Sequence, residues 1–422
     1  MSVRKRKWTT AKGVEREAWI VDYVDGKGAR RLKTFAKKKE ADAFEATATV
    51  EIREGTHVAD SDSTTVKKAG DLWIKACDGL ERSTRNQYRQ HLDLHIVPFI
   101  GAEKLSKLNI PTVRSFEDQL RRGNSDLPAE DPRRAPRSPA MIRKILGSLG
   151  SLLADAQERG LTVRNVVRDM RGKRRKGKER KAERRQKGKI KVGVDLPTRE
   201  EVKAIVGAVE GRWRPLLLTA IFTGLRASEL RGLRWSDVDF DKRAIRVHQR
   251  ADRFNEIGQP KSEAGERTVP APPIVINTLR EWKLVCPKRP TGKLDDNGEL
   301  IMQLELVFPN GLGKVESLAN IINRGLMPAQ VAAGVVVDTG EKDADGKPIM
   351  KARYTGMHCL RHFFASWCIN RVADGGLGLP PKVVQERLGH SSIMMTMDVY
   401  GHLFPRGDDA EELAAAERAL LA

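Results

Sequence analysis

The chain has 422 residues, 40% of them hydrophobic, a share that excludes wholesale disorder and suits two or three packed domains. Lys and Arg number 77 against 56 Asp and Glu, and the net charge of +21 favours a polyanionic partner such as nucleic acid, although one basic tail can give the same balance. No run approaches the roughly 18 apolar residues of a membrane span, and the cysteines lack zinc or disulfide spacing, which predicts a reduced, cytoplasmic protein without a membrane partner.

Residues 1–60 contain short alternating stretches, AWIVDYV and RRLKTF, followed by a helical run. We expect a small three-stranded sheet with one helix, in which the helix covers one sheet face and leaves the other face available to a ligand. Arg30, Arg31 and Lys33 are candidate contacts to DNA phosphates. A plain solvated face is the alternative for these three residues.

Residues 64–170 show apolar positions at helical spacing, as in VKKAGDLWIKAC and AMIRKILGSLGSLLADAQERG, and predict a helical bundle. A basic linker over residues 171–195 follows. Its segment 171–191 holds thirteen Lys or Arg and two Glu, and so carries about half of the net charge of the chain. Either a solvated spacer or a connector that tracks the DNA backbone fits this composition.

Residues 196–422 form the last predicted domain. It opens on LPTREEVKAIVGAVE, where Thr198 is the predicted N-cap and Glu201 completes a capping box. Helices dominate this part, with a strand at AIRVHQR, hairpin character over residues 261–269 and a hairpin around residues 343–346. The predicted fold class is therefore multi-domain and mainly α with small β elements, ending in a mixed α+β domain.

Four separated patches in the last domain contain residues able to act on a phosphodiester. Each patch alone is weak evidence, because a single Arg, Lys, His or Tyr is usually structural. Their joint order is the informative feature. In chain order they are TGLRASELRGLRWSDVD with Arg226, PKSEAGERTVP with Lys261, HCLRHFFAS with His358 and Arg361, and LGHSSIMMTMDVYGH with His390 and Tyr400.

Together these patches resemble the tyrosine recombinase family of the phage-integrase type, whose order is Arg, Lys, His-x-x-Arg, His or Trp, then Tyr. The strings HCLRH and LGHSS, with a Tyr ten residues after the His, are the most specific part of the match. The resemblance implies that residues 1–60 are an arm-type DNA-binding domain, residues 64–170 a core-binding domain and residues 196–422 the catalytic domain. It assigns the catalytic roles to Arg226, Lys261, His358, Arg361, His390 and Tyr400.

Phosphoryl chemistry explains why the arginines and the tyrosine are needed. Guanidinium forks bind phosphate with two donors each, so Arg226 and Arg361 are expected to clamp the scissile phosphate. Tyr400 then forms a 3′-phosphotyrosyl ester that conserves the bond energy, so strand exchange needs no cofactor. The catalytic patches contain no Asp and Glu cluster at metal-site spacing, and we expect cleavage without a metal ion.

The remaining roles concern protons and orientation. Lys261 is expected to protonate the leaving 5′ oxygen, and His358 to handle the tyrosyl proton beside the phosphate. His390 is expected to donate to the phosphate from a helix junction, and Glu229 to orient a catalytic neighbour. The second histidine of HCLRH, His362, is given a structural duty in the core.

The end of the chain allows two further interpretations. The apolar stripe Ile393, Met394, Met395 and Met397 is expected to pack in the core and hold the Tyr400 helix. The run DDAEELAAAERALLA is expected to form a helix that docks either on a neighbouring subunit or on its own subunit.

The function implied is that of a site-specific recombinase acting on double-stranded DNA attachment sites, which integrates or excises a mobile element such as a prophage. The resemblance further implies a homo-tetramer on DNA, with a DNA-bending accessory protein and an excision factor as candidate partners. Two alternatives are a type IB topoisomerase-like enzyme, which would use nearly the same residues, and a DNA-binding regulator whose active site has decayed, which the retention of all six catalytic positions opposes.

Overall fold

The computed structural model describes residues 1–9, 15–26, 28–55, 57–170, 189–372, 374–404 and 409–422. The chain divides into two compact units, Met1–Glu183 and Arg184–Ala422. Most of the predicted basic linker, residues 171–188, lies outside the described residues. In the part of the chain that is described, no helix combines the length and apolarity needed to cross a membrane.

The first unit begins with the N-terminal sheet, whose antiparallel strands Ser2–Thr9, Glu15–Val24 and Arg30–Phe35 lie in sequential order. Side chains alternate between the two faces of a strand. Val21 and Tyr23 therefore share one face, where they form a small core with Ala41 of helix Lys38–Arg53. The predicted three-stranded sheet with one covering helix is confirmed.

A helical bundle follows in the same unit, with a hydrophobic core of its own around Phe116, Leu149 and Leu152. The side chains of Asn109 and Ser138 accept hydrogen bonds from backbone N–H groups in the first turns of two of its helices, which is typical of N-cap residues. The division of residues 1–170 into two separate domains stays a prediction. The helices are Val66–Ala76, Arg82–His91, Val97–Ile100, Ile110–Arg122, Pro139–Glu158 and Val166–Met170.

The second unit is mainly helical and contains several small sheets. Its helices are Arg199–Ala208, Trp213–Thr223, Ala227–Gly232, Pro273–Val285, Leu318–Asn320, Met327–Ala332, His358–Ile369, Pro381–Leu388, Ile393–Tyr400 and Asp409–Leu421. One three-stranded sheet joins Val238–Asp239, Ala244–Val247 and Arg267–Pro270. Three two-stranded hairpins pair Arg250–Ala251 with Ile257–Gly258, Arg289–Leu294 with Leu300–Gln303, and Val336–Lys342 with Pro348–Ala352.

In the second unit, the capping box and one of the two predicted hairpins form as the sequence predicts. The capping box is confirmed, because Glu201 N–H donates to Thr198 Oγ1 at 3.2 Å and Thr198 N–H donates to the Glu201 carboxylate at 2.8 Å. The hairpin around residues 343–346 is also confirmed. The hairpin expected within residues 261–269 is wrong, since strand Arg267–Pro270 pairs with Ala244–Val247 and leaves Lys261 in a loop.

Candidate active site

Arg226 lies where two helices of the second unit meet. Helix Trp213–Thr223 ends at Gly224, which has a φ of +62°. A Cβ atom at this position would lie only 2.3 Å from the Phe364 ring, so both the backbone conformation and the packing require glycine. Two residues later, the Arg226 guanidinium donates to Glu229 Oε1 at 2.7 Å and to the carbonyl oxygen of Gly389 at 2.9 Å. The side chain keeps about a third of its surface exposed, so it can still meet a ligand.

Arg361 is the second guanidinium of the site and is almost fully buried, at 2% exposure. It projects from helix His358–Ile369, here called the HxxR helix, and donates to the carbonyl oxygens of Gly224, at 2.6 Å, and Leu388. Burial, together with the nearby Arg226 charge, lowers the pKa of Arg361 to about 9, so the group remains cationic at neutral pH. Both arginines thus converge on the chain segment that precedes His390.

His390 lies directly after that segment, as the sequence predicted for a helix junction. Helix Pro381–Leu388 ends at Gly389 in the left-handed conformation, and the next helix, Ile393–Tyr400, is here called the tyrosine helix. His390 Nδ1 lies 2.9 Å from Thr396 Oγ1, and the ring is nearly parallel to that of Tyr400. Burial and the surrounding arginines lower the pKa of His390 to about 4.

Tyr400 ends the tyrosine helix and is only 1% exposed. Its ring packs in a cluster with Phe364 and Leu388, and its hydroxyl lies 2.7 Å from Nδ1 of His362. Burial raises the pKa of Tyr400 to about 12, although the charges of Arg361 and Arg226 act in the opposite direction. The phenol is therefore protonated in this structure.

The structural duty that the sequence suggested for His362 stays a prediction, and the structure adds that its ring contacts the Tyr400 hydroxyl. Among the described residues, no hydrogen bond joins Tyr400 to His358, which instead places its ring at right angles to His362 with 4.8 Å between ring centroids. Burial lowers the pKa of His358, and the charges of Arg361 and Arg226 lower it further. The sequence signal for His362 was its i,i+4 spacing from His358, which puts both rings on one helix face.

The expected packing of the apolar stripe on the tyrosine helix is wrong. Ile393, Met394, Met395 and Met397 are 37%, 61%, 45% and 40% exposed. The buried residues of that helix are Thr396 and Tyr400. The helix therefore turns its polar and aromatic groups toward the site and its methionines outward.

Glu229 and a residue that the sequence analysis missed, Arg267, form the buried support of the site. Both Arg267 Nη atoms donate to the Glu229 carboxylate, at 3.1 and 2.9 Å, and Nε donates to the carbonyl oxygen of Arg387 at 2.8 Å. Burial alone would raise the pKa of Glu229, but Arg267 and Arg226 hold that pKa below its ordinary value. Arg267 also donates to the carbonyl oxygen of Gly265, so it joins the Lys261 loop to the helices of the site.

Lys261 is not brought into contact with the other predicted site residues. It is exposed and precedes a short 3-10 turn, Glu263–Gly265, and within the described residues it has no hydrogen-bond or ion-pair partner. No three His, Cys, Asp or Glu side chains in the described ranges are arranged to hold a metal ion.

The three predicted DNA contacts of the N-terminal sheet fall on different faces. Arg31 and Lys33 pair in register with Tyr23 and Val21, on the face that the helix covers. Lys33 is bound to Asp60, and Arg31 to Asp25 and Asp62, whereas Arg30 is on the open face and bound to Asp22. These ion pairs favour a structural role for Arg31 and Lys33.

Residues 197–406 match the model of the phage integrase family. Since the fold and the ordered site agree with that match, the chain belongs to the phage integrase family of tyrosine recombinases. An XerC-like tyrosine recombinase of Caldanaerobacter subterraneus is 29% identical over 240 residues, 52% of this chain and 53% of the relative, so the match spans about half of that protein.

Solved structures show the same fold. The Tn1549 transposon integrase in complex with a circular intermediate DNA has a TM-score of 0.58 at 17% identity and covers 84% of this chain and 100% of that one. The lambda integrase tetramer bound to a Holliday junction has a TM-score of 0.51 at 16% identity, over 95% of this chain and 96% of that one. The expected multi-domain, mainly α architecture is thereby confirmed.

The Glu229–Arg267 pair leads to a stability prediction. Arg267→Met leaves a carboxylate buried with only Arg226 as a partner and should lower the free energy of unfolding by about 3 kcal/mol or more. The control is Arg246→Met, because Arg246 pairs with Glu266 where both side chains are mostly exposed, and its removal should cost at most about 1 kcal/mol. Urea unfolding of the full chain measures both.

The same pair predicts the pH dependence of that destabilisation. The lowered pKa of Glu229 means that its stabilisation is present above the ordinary carboxyl range and disappears as the pH falls through the lowered value. The difference between wild type and Arg267→Met should therefore shrink in acid. Equal destabilisation by Arg267→Met and by the control Arg246→Met would contradict a supporting role for Arg267.

Proposed function

We propose that this protein is a site-specific DNA recombinase that cleaves and rejoins double-stranded attachment sites through a 3′-phosphotyrosyl intermediate on Tyr400, and so integrates or excises a mobile element such as a prophage. The observation that carries the proposal is the convergence of Arg226 and Arg361 on residues 388–389, directly before His390, with the Tyr400 ring alongside. The family membership of the chain supports it.

The arginines supply the phosphate site. A phosphodiester carries one negative charge, and attack adds negative charge to its non-bridging oxygens, which preorganised guanidinium donors stabilise more strongly than they stabilise the ground state. Arg226 and Arg361 hold their positions through backbone carbonyl oxygens, so these donors need not reorganise when the charge develops. The Thr396 contact occupies Nδ1 of His390, which leaves Nε2 to bond a phosphate oxygen.

The tyrosyl oxygen of Tyr400 then attacks phosphorus and the 5′ oxygen leaves. Lys261 is the proton donor to that oxygen in this proposal, since its exposed loop position allows the ammonium group to approach bound DNA. His358 borders the phosphate beside Arg361, and Glu229 orients Arg226 through their 2.7 Å hydrogen bond. The ester conserves the energy of the broken bond, so a second DNA end can reverse the step.

The remaining parts of the chain are assigned to DNA binding and assembly. We propose an arm-type domain over residues 1–60, a core-binding domain over 64–170, a basic linker over 171–195 and a catalytic domain over 196–422. The lambda integrase of similar fold is a tetramer on a Holliday junction, which supports a homo-tetramer on DNA here. A DNA-bending protein and an excision factor are further proposed partners, and the cytoplasm is the proposed location.

The open face of the N-terminal sheet is the proposed arm-DNA surface. The strand register places Arg4, Arg6, Trp8 and Arg16 on this face, and Arg30 is on the neighbouring strand. Asp22 is the acidic residue among them and binds Arg4 and Arg30. The face therefore keeps an excess of positive charge, whereas Arg31 and Lys33 on the helix-covered face are bound to aspartates.

The first test concerns Tyr400. Tyr400→Phe removes only the hydroxyl, so the variant should bind the duplex that the wild-type chain selects from a random-sequence library, here called the selected duplex, with unchanged affinity. It should form no covalent adduct on a nicked version of that duplex, as judged by denaturing electrophoresis. The wild-type adduct is the control, and an adduct from the variant would remove Tyr400 from its role.

The second test concerns Lys261. Lys261→Ala should slow cleavage by about 10²- to 10⁴-fold, the usual contribution of a positioned proton donor. A selected duplex with sulfur at the bridging 5′ position should restore a near wild-type rate, because a thiolate, with a pKa of roughly 8.5, leaves without a proton. Arg226→Ala should not be rescued, since it acts on the non-bridging oxygens. Equal slowing of Lys261→Ala on both substrates would rule out the acid role.

The third test compares the two faces of the N-terminal sheet. The double variant Arg6→Ala and Arg30→Ala of the full chain should bind duplex DNA more weakly. The slope of the logarithm of its binding constant against the logarithm of the salt concentration, here called the salt slope, should fall in magnitude by up to about 0.9 for each phosphate that is no longer neutralised. Lys33→Ala, from the covered face, is the matched control and should leave the slope unchanged. If only Lys33→Ala flattened the slope, the covered face would be the DNA surface.

A further inference from the structure

Within the described ranges, the hydroxyl of Tyr400 has one hydrogen-bond partner, and it is His362 rather than His358, the histidine three residues before Arg361. The oxygen lies 2.7 Å from Nδ1 of a half-buried imidazole on the HxxR helix. A contact this short suits proton transfer between the two atoms. His358 faces the His362 ring instead, at a right angle and with 4.8 Å between centroids.

We propose that His362 is a catalytic residue whose Nδ1 accepts the proton of the Tyr400 hydroxyl as the tyrosyl oxygen attacks phosphorus. The proposal rests on the proposed recombinase function and departs from the expectation that His358 handles this proton. His358 then acts beside the phosphate, with its ring packed at a right angle to that of His362.

The step is balanced without any further reagent. The O–H bond of Tyr400 breaks and an N–H bond forms at His362 Nδ1, while the oxygen forms the bond to phosphorus and the bond from phosphorus to the 5′ oxygen breaks. Lys261 supplies the proton to that leaving oxygen. In rejoining, the 5′ hydroxyl gives its proton back to Lys261 as its oxygen attacks phosphorus, and His362 returns its proton to the tyrosyl oxygen as the ester bond breaks.

The electrostatics of the site make His362 a better acceptor when DNA is bound. Burial, followed by the neighbouring His358 and Arg361, lowers the pKa of His362 to about 4, so the ring is neutral and has a free lone pair. A bound phosphate brings negative charge to Arg361 and Arg226 and offsets part of the positive field that opposes protonation of the ring. Proton acceptance is thereby favoured when the substrate is in place.

Two substitutions separate proton acceptance from simple positioning. His362→Asn keeps an oxygen near the Nδ1 position that can accept a hydrogen bond but cannot take a proton, and His362→Phe keeps only the ring. Both variants of the full chain should bind the selected duplex as tightly as wild type and form the covalent adduct about 10²- to 10⁴-fold more slowly. The matched control is His248→Asn, since His248 binds Asp237 elsewhere in the unit, and it should react at the wild-type rate.

The second part of the test replaces Tyr400 by fluorotyrosine, whose phenol is more acidic than that of tyrosine and therefore depends less on a base. Fluorotyrosine should bring the rate of adduct formation by both His362 variants closer to the wild-type rate and leave the slow rate of His358→Asn unchanged. A wild-type rate for His362→Asn would reduce His362 to a positioning residue, and relief confined to His358→Asn would assign the base to His358; either result overturns the proposal. Absence of any adduct from wild type would instead refute the recombinase function itself.

A measurement without DNA tests the starting geometry. Nitrogen NMR of the histidine rings, with His362 assigned by comparison with His362→Asn, should show Nδ1 without a proton and Nε2 with one. A proton on Nδ1 would mean that the ring donates to Tyr400, and the proposal would be wrong.

Discussion

The site is built around positive charge that the protein itself does not neutralise. Arg226 and Arg267 both donate to the buried carboxylate of Glu229, whereas Arg361 donates to backbone carbonyl oxygens. Within the described residues of the site, one carboxylate therefore faces three guanidinium groups, and two positive charges remain uncompensated. Burying cations without partners is costly, and here backbone carbonyl oxygens offset only part of that cost. A phosphodiester supplies one of the missing negative charges, and a pentavalent phosphorane supplies nearly the second. The charge balance therefore favours the transition state over the empty site.

Burial and the same excess charge together determine the protonation states around the site. His358, His362 and His390 all have lowered pKa values, first because they are buried and then because cations surround them. Neutral imidazoles can accept protons and donate hydrogen bonds near neutral pH without adding to the repulsion between the arginines. For Tyr400 the two effects oppose each other, because burial raises the pKa of the phenol while the cations lower it, and burial is the larger effect. Its reaction therefore requires an acceptor in direct contact.

The sequence was sufficient for features that depend on local pattern. The capping box at Thr198, the helix junction at Gly389 and the sheet with its covering helix follow from residue spacing within a few turns. Arg267 was not predictable in this way, because its partners Glu229 and Arg387 lie 38 and 120 residues away in the chain. Its basic side chain in a loop-like string gave no sign of burial.

Three other differences also have physical causes. The methionines of the tyrosine helix were expected to be buried because they are apolar, but the helix uses Thr396 and Tyr400 for its inward face. Sequence also could not show which histidine of HCLRH reaches Tyr400, since i and i+4 lie on the same helix face. In the N-terminal sheet, strand alternation separates Arg30 from Arg31, but only the fold shows that aspartates of the following segment form ion pairs with Arg31 and Lys33.

The burial of Tyr400 connects DNA binding to chemistry. A phosphate can reach an oxygen on a side chain that is 1% exposed only if the groups around it give way. The tyrosine helix buries only Thr396 and Tyr400 and exposes its methionines, so its displacement removes one aromatic ring from the cluster with Phe364 and Leu388. Contacts between DNA and basic residues remote from the cut can provide the free energy for that displacement, in the way that binding energy distant from a reacting centre is used to position it. Under the proposed function, a chain without DNA would keep Tyr400 covered, and the phenol would become accessible where the duplex has filled the arginine site.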